Sequence, residues 1–122
     1  ANLSEMTAQA HDQIFAAVSH LPHLLAFALV NNLANRKNAK QLFDFAASGF
    51  RDFTRIAGSS PEMWLDISLA NKRALLDELE AYQAELSNLQ KLLKNDDSQG
   101  LKLMFEHASN ARQAWQKEQD KS

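Results

Sequence analysis

Apolar residues recur every three or four positions along most of the chain, and no stretch alternates apolar and polar residues as a half-buried strand does. The clearest case is a heptad spacing in the second half, formed by Leu75, Leu79, Tyr82, Leu86, Leu89 and Leu93. Helix breakers are few, with three glycines and two prolines in 122 residues. The pattern predicts an all-α protein.

The first half is predicted to hold three helices. A first helix runs from an N-cap at Ser4 toward Asn35, and Pro22 kinks or breaks it and biases Leu21 away from helical geometry. After a polar connector at residues 35–38, a second helix covers 39–48 and ends at Gly49 as its C-cap. A short helix over 50–57 follows, closed by Gly58, with Phe50 and Phe53 anchoring it to the core.

The second half is predicted to hold two long helices. Ser60 caps a helix with Pro61 at its first position, and this helix continues to Lys94, a length of about 50 Å. Its leucine seam needs a second long helix, from this chain or from a second copy, so we expect a dimer. A turn at 95–98 leads to a last helix over 99–118, whose apolar side chains we expect to be buried in some combination: Leu101, Leu103, Met104, Phe105, Ala108, Ala111 and Trp115.

Composition narrows the classes of function. The net charge of −2 argues against a general nucleic-acid or membrane-surface role, and no apolar run looks long enough to span a bilayer. Without cysteine, the chain has no disulfide, zinc-thiolate site or thiol nucleophile, which fits a reducing compartment, and we expect a cytoplasmic location. The N-terminus lacks both an initiator methionine and the features of a signal peptide, so we expect a piece of a longer protein.

Two histidines flank the proline in Ser19-His20-Leu21-Pro22-His23, where the helix must deform. Deformed helices free backbone groups and often mark functional sites. A metal site would need a third ligand that the neighbouring sequence does not offer, so no metal is expected. Two interpretations stay open: the histidines bond to their neighbours in the helix, or they donate hydrogen bonds to a bound anion or hydroxyl group.

Two arginines lie four residues apart in Gly49-Phe50-Arg51-Asp52-Phe53-Thr54-Arg55. They could form surface ion pairs with Asp52, Asp44 or Glu62, or they could clamp a carboxylate, which matches the planar guanidinium fork. The adjoining helix start at residues 60–62 would favour an anion at the same place. Trp64, one turn further, is either a core residue or a wall of that pocket.

Together, the blocks SHLPH (19–23), GFRDFTRIA (49–57) and PEMW (61–64) resemble the C-terminal domain of prephenate dehydrogenases, a family that includes arogenate and cyclohexadienyl dehydrogenases. The resemblance spans about Met6 to Trp115. It implies a long-helix dimerisation domain of the 6-phosphogluconate-dehydrogenase C-terminal-like type that forms an intertwined homodimer. In this interpretation, residues 1–122 are one substrate-binding and dimerisation domain.

The resemblance also implies a function and a set of site residues. Family members oxidise prephenate or arogenate with NAD or NADP and release CO2 in tyrosine biosynthesis. It implies that His23 contacts the substrate, that Arg55 holds a carboxylate and that Trp64 lines the pocket. The same blocks add five further substrate-site candidates: Ser19, His20, Gly49, Arg51 and Asp52.

The family's catalytic histidine and its dinucleotide-binding loop belong to an N-terminal Rossmann domain, which is not in these residues. No GxGxxG, Walker, GxSxG or HExxH motif occurs in the chain. We therefore expect no catalytic or cofactor-binding residue here, and no turnover by this chain alone. The alternative is a non-enzymatic helical dimerisation module in which the arginines and histidines are structural.

Overall fold

The computed structural model describes residues 6–121, and the secondary structure of these residues is helical. The helices are α1 Ala8–Phe15, α2 Leu21–Ala34, α3 Ala39–Asp44, α4 Ser48–Thr54, α5 Pro61–Ala70, α6 Lys72–Lys94 and α7 Ser98–Asp120. A π-turn, Ala16–His20, joins α1 to α2, and a 3₁₀ turn, Arg55–Gly58, follows α4. The chain forms two compact units that divide within α6, after Glu80.

Pro22 deforms the first helix without breaking it. Proline has no backbone N–H, and its ring clashes with the carbonyl group four residues earlier, so a regular α-helix cannot pass through it unchanged. The π-turn widens the helix just before the proline, and the Leu21 N–H bonds to the Ala16 oxygen. Leu21 itself is helical, with φ −58° and ψ −49°, so the prediction that it would leave helical geometry is wrong.

Thr7 begins α1, because its hydroxyl accepts a hydrogen bond of 3.1 Å from the Ala10 N–H. Ser4, the predicted N-cap, lies outside the described residues. The polar connector at 35–38 is confirmed between α2 and α3.

Gly49 does not end the second helix. α3 stops at Asp44, and Gly49 lies in the first turn of α4 with a negative φ, so the predicted C-cap is wrong. Phe53 is 42% exposed, so it is not the predicted core anchor. Phe50 contacts the Phe43 ring instead, with the centroids 5.9 Å apart.

The predicted start of α5 is confirmed, but the predicted single helix to Lys94 is not. The Ser60 hydroxyl accepts from the Met63 N–H, and Pro61 occupies the first turn. The helix then breaks at Asn71, whose φ of −117° and ψ of 33° are not helical, and α6 begins one residue later. The amide of Asn71 bonds to α1 and to the π-turn, so contacts with distant residues set this break.

The second unit is a pair of helical segments, the later part of α6 and α7, joined by a tight turn. Asp96 adopts a positive φ of 51°, and the Asp97 carboxylate accepts from the Gly100 N–H at 2.9 Å. A Cβ on Gly100 would lie 2.6 Å from the Asp97 carboxylate, so glycine leaves room for the cap. Within the described residues, none of α7 is buried, so the expected burial of its apolar side chains does not occur in the single chain.

The first unit contains the buried apolar residues of the described chain. They come from the π-turn, α2, α5 and the start of α6: Ala16, Leu21, Ala26, Trp64 and Leu75. The 3₁₀ turn and α4 also pack against α2. The centre of this unit is therefore the deformed part of the first helix, where the candidate histidines lie.

One helical stretch, Ala8–Ala34, is long and apolar enough to cross a bilayer, with a mean hydropathy of 1.6. It combines α1, the π-turn and α2, and it corrects the expectation that no apolar run approaches such a length. The criterion uses length and composition only, and an inner helix of a helical domain also satisfies it. Here the stretch carries Pro22 and three histidines and packs against α4 and the 3₁₀ turn.

Candidate functional site

His23 and Trp64 form the centre of a cluster of aromatic and imidazole rings between α2 and α5. The rings are stacked, with centroids 4.1 Å apart and planes inclined by 21°. The His23 Nδ1 atom lies 2.9 Å from the Ser19 carbonyl oxygen. Because a carbonyl oxygen can only accept, Nδ1 carries the proton and donates, which leaves Nε2 of His23 available to another partner.

His20 approaches the same tryptophan edge-on, with the ring centroids 5.9 Å apart and the planes at 79°. Its Nδ1 atom lies 3.3 Å from the Asn71 side-chain nitrogen. Burial lowers the pKa of His20 below 6.5; repulsion from His23 lowers it further, while Asp12 opposes the shift and His11 adds a smaller lowering. The cluster therefore favours a neutral imidazole at His20.

The Trp64 side chain is 7% exposed, and its indole N–H is buried without an acceptor among the described residues. A buried donor that lacks a hydrogen bond costs about 1–3 kcal/mol. Such an unsatisfied group in a folded protein is a candidate for contact with a ligand or another chain. Trp64 is thus a core residue and also part of the ring cluster. The two interpretations from the sequence, a core residue or a wall of a pocket, are therefore compatible.

A groove of about 480 Å³ lies on the same unit, over α4 and the 3₁₀ turn. One side is apolar, formed by Phe43, Ala46 and Phe50. The other is polar and carries two cations and one anion, and its residues are Arg51, Asp52, Thr54 and Arg55. This arrangement suits a small anion that carries an apolar group.

Arg51 and Arg55 are exposed and form no ion pair among residues 6–121. The surface ion pairs considered from the sequence are therefore absent from the described part of the chain. Asp44 instead pairs with Lys40, with 3.0 Å between the carboxylate oxygen and Nζ. Both guanidinium groups remain open to a carboxylate from outside the chain.

The start of α5 contributes less to this groove than the sequence suggested. The Ser60 hydroxyl already caps the Met63 N–H and lies 3.3 Å from a Glu62 carboxylate oxygen. The negative charge of Glu62 occupies the positive end of the helix dipole. Neither residue lines the groove.

The structure therefore places the predicted site residues in two groups on one unit. The ring cluster contains Ser19, His20, His23 and Trp64, and the groove contains Arg51, Asp52 and Arg55. The 3₁₀ turn that begins at Arg55 packs against α2, the helix that carries His23. Gly49 belongs to neither group, lying exposed in α4 with open space around its Cα.

The sequence did not predict four of the groove residues or the contact of Asn71 with His20; the four groove residues are Phe43, Ala46, Phe50 and Thr54. Phe43 and Ala46 were assigned only to a helix, yet they form the apolar side of the groove. Asn71 was placed inside a continuous helix, although asparagine is a poor helix former that favours helix ends, which was a usable signal. Within residues 6–121, no group of three or more histidine, cysteine or acidic residues could hold a metal ion.

Residues 7–107 match the family model described as "Prephenate dehydrogenase, dimerization domain". The chain belongs to this family. A curated relative, prephenate dehydrogenase from Bacillus subtilis, is 38% identical over 113 residues, covering 92% of this chain and 30% of the relative. The all-helical architecture and the resemblance in the sequence blocks are confirmed.

Two solved structures share the fold of this prephenate dehydrogenase dimerization domain. Synechocystis arogenate dehydrogenase has a TM-score of 0.84 and 33% identity, with 90% of this chain and 41% of that chain covered. Prephenate dehydrogenase from Aquifex aeolicus, in complex with hydroxyphenyl propionate and NAD+, has a TM-score of 0.82 and 38% identity, covering 88% and 38%. The chain thus spans well under half the length of its relatives.

Proposed function

We propose that this chain is the substrate-binding and dimerisation part of an NAD- or NADP-dependent dehydrogenase that converts prephenate to 4-hydroxyphenylpyruvate in tyrosine biosynthesis, with arogenate as the alternative substrate. Membership of the prephenate dehydrogenase dimerization-domain family supports the reaction class. Relatives named as prephenate and arogenate dehydrogenases support both substrates. The family description supports a homodimer.

The observation that carries this proposal is the pair of arginines beside the phenylalanines of the groove, which form no ion pair with any other described residue. Prephenate carries one carboxylate on a six-membered ring and a second on its side chain, and hydroxyphenyl propionate, bound in the Aquifex relative, joins a ring to one carboxylate. Arg55 binds the carboxylate through its planar fork, while Phe43 and Phe50 contact the apolar part of the ligand. Arg51 adds a second positive charge, and Asp52 restricts where an anion can lie.

His23 and Trp64 complete the substrate site on the α2 side. The free Nε2 of His23 accepts a hydrogen bond from a hydroxyl group. The indole N–H of Trp64 then finds the acceptor that residues 6–121 do not offer it. Ser19 supplies the carbonyl oxygen that orients His23, and His20 packs on the other side of Trp64.

The chemistry of the reaction requires a second domain. A nicotinamide cofactor bound there would supply the hydride acceptor for the oxidative decarboxylation. The present residues bind the carboxylate, orient the ring and join two subunits; they supply no catalytic group of their own. Gly49, exposed in the first turn of α4, is the site candidate with the least support from the geometry.

The direct test replaces Arg55 with alanine and titrates hydroxyphenyl propionate calorimetrically into the chain and into the longer protein that contains it. Loss of a hydrogen-bonded charge pair is worth about 1.5–3 kcal/mol, so affinity should fall about 10-fold to 150-fold. Arg73→Ala is the matched control, because Arg73 is an exposed arginine of the same unit outside the groove. Equal affinity of the Arg55→Ala and Arg73→Ala variants for hydroxyphenyl propionate would show that Arg55 does not bind its carboxylate.

The competing function is a helical module that only associates, with structural arginines and histidines. The coding sequence upstream of Ala1 discriminates between the two. The dehydrogenase proposal requires a strand followed by a Gly-x-Gly-x-x-Gly turn and a helix, the dinucleotide-binding arrangement. If the upstream sequence encodes no such domain, the module is the better interpretation.

A further inference from the structure

Asn71 joins three elements of the first unit through one side chain. It lies at the break between α5 and α6, and its amide nitrogen donates to the Asp12 carbonyl oxygen of α1 at 2.8 Å. The same nitrogen lies 3.3 Å from Nδ1 of His20 in the π-turn. An amide NH₂ group carries two protons, so both bonds can form at once.

These contacts determine where the protons are. The Asp12 carbonyl oxygen can only accept, so the Asn71 group that faces it must be the NH₂ and not the amide oxygen. That NH₂ group then presents a donor to Nδ1 of His20, which must accept with its lone pair. A neutral imidazole with an unprotonated Nδ1 carries its proton on Nε2.

We propose that Asn71 is a positioning residue that holds His20 as the neutral Nε2–H tautomer, so that the two histidines beside Trp64 carry their protons on opposite ring nitrogens. Protonation of His20 would place an Nδ1–H donor opposite the NH₂ donor of Asn71, and the hydrogen bond between the two side chains would be lost. In His23 the proton lies on Nδ1, where it bonds to the Ser19 carbonyl oxygen, and Nε2 keeps its lone pair. The His23 ring stacks on the Trp64 indole, with the centroids 4.1 Å apart.

The charged and titratable groups around His20 are consistent with a neutral imidazole at this position. From α1, Asp12 favours a proton on His20 while His11 opposes it, and from α2, His23 opposes it. Trp64 of α5 does not titrate, and it contributes burial. Asn71 adds a donor that competes with protonation at Nδ1, and it belongs to none of the three sequence blocks that contain the other site residues.

The consequence for binding rests on the proposed function. If the substrate carboxylate and ring lie across the groove and the ring cluster, the two histidines have different tasks. His20 keeps the geometry of the cluster fixed and carries an Nε2–H donor, whereas His23 presents Nε2 as an acceptor. The assignment of tautomers itself concerns the ligand-free chain and does not depend on any substrate.

The test is nitrogen-15 NMR of the histidine rings in the ligand-free chain, at a pH where both rings are neutral. His20 should show an unprotonated Nδ1 and a protonated Nε2, and His23 should show the opposite pattern. A protonated Nδ1 on His20 would overturn the proposal without any variant being made.

Asn71→Asp supplies the second measurement, because it keeps the size of the side chain but replaces the donor with a carboxylate. An opposite charge at this distance raises a histidine pKa, so the His20 titration should move up by about 1–3 pH units. Asn38→Asp, an exposed asparagine outside these contacts, is the matched control and should leave His20 unmoved. An unmoved His20 in folded Asn71→Asp would also overturn the proposal, whereas failure of hydroxyphenyl propionate to bind would contradict only the proposed function.

Discussion

At the scale of single residues, the first unit uses two kinds of polar side chain in opposite ways. Arg51 and Arg55 are exposed and unpaired in the described chain, so water hydrates both guanidinium groups at little cost in free energy when no anion is bound. His20 and Trp64 are more enclosed, and their hydrogen bonds matter more because desolvation penalises an unpaired or charged group. Substitutions in the groove should therefore change ligand affinity, whereas substitutions in the ring cluster should also change stability.

The lowered pKa of His20 makes stability depend on pH. The folded state disfavours the protonated ring, so the unfolded chain binds more protons near and below pH 6.5. The contribution of neutral His20 to the free energy of unfolding is fully present above pH 6.5. It is lost as the pH falls through the pKa of His20 in the folded state, which lies below 6.5. The free energy of unfolding, measured by denaturant at constant protein concentration, should therefore decrease between about pH 8 and pH 5.

His20→Gln isolates this effect, because glutamine can still accept a hydrogen bond from Asn71 but does not titrate. The variant should lose less stability on acidification than the natural chain. His107→Gln, which removes a histidine of α7, provides the control for a change in histidine number. If the free energy of unfolding changes with pH by the same amount in the His20→Gln variant and the natural chain, then His20 binds its proton equally well in the folded and unfolded states.

At the scale of the elements, the π-turn shows how a helix accommodates proline. Proline inside a regular α-helix costs about 3 kcal/mol, because it removes a hydrogen bond and clashes with the preceding turn. Here Pro22 lies in the first turn of α2, directly after the widened π-turn, where its missing N–H is tolerated. The remaining cost should be small.

Pro22→Ala should accordingly change the free energy of unfolding by less than about 1 kcal/mol. Ala26→Pro gives the contrast, because Ala26 is buried in the interior of α2, and this variant should lose about 3 kcal/mol or more. Chemical denaturation of both variants measures the two values. A gain near 3 kcal/mol for Pro22→Ala would mean that the π-turn does not relieve the clash.

The same scale shows which elements the sequence could predict. The start of α5 and the connector at 35–38 depend on neighbouring residues, such as the Ser60 hydroxyl and Pro61, and they were predicted correctly. The break at Asn71 depends on bonds to Asp12 and His20, 59 and 51 residues away, so local propensity alone did not give it. The blocks around His23 and Arg55 predicted both residue groups, but helical spacing could not show that they form two separate clusters.

At the scale of the whole molecule, the apolar side chains of the second unit remain uncovered. Tyr82, Leu86 and Leu93 of the heptad seam are 37%, 47% and 59% exposed, and in α7 Leu103, Phe105 and Trp115 are 59%, 58% and 52% exposed. Burying one leucine side chain is worth about 1.5–3 kcal/mol, so a partner that covers these residues gains a large free energy. The family description as a dimerization domain supports a second copy of the chain as that partner.

Leu86→Glu should therefore shift the chain from dimer to monomer. The substitution removes an apolar seam residue and places a charge where a partner helix would exclude water, which costs several kcal/mol. Gln83→Glu adds the same charge at an exposed position of α6 outside the seam, and it should remain a dimer. Light scattering across a range of protein concentrations measures both, and a natural chain that stays monomeric, or a Leu86→Glu variant that dimerises as tightly as Gln83→Glu, would show that the seam does not join two copies.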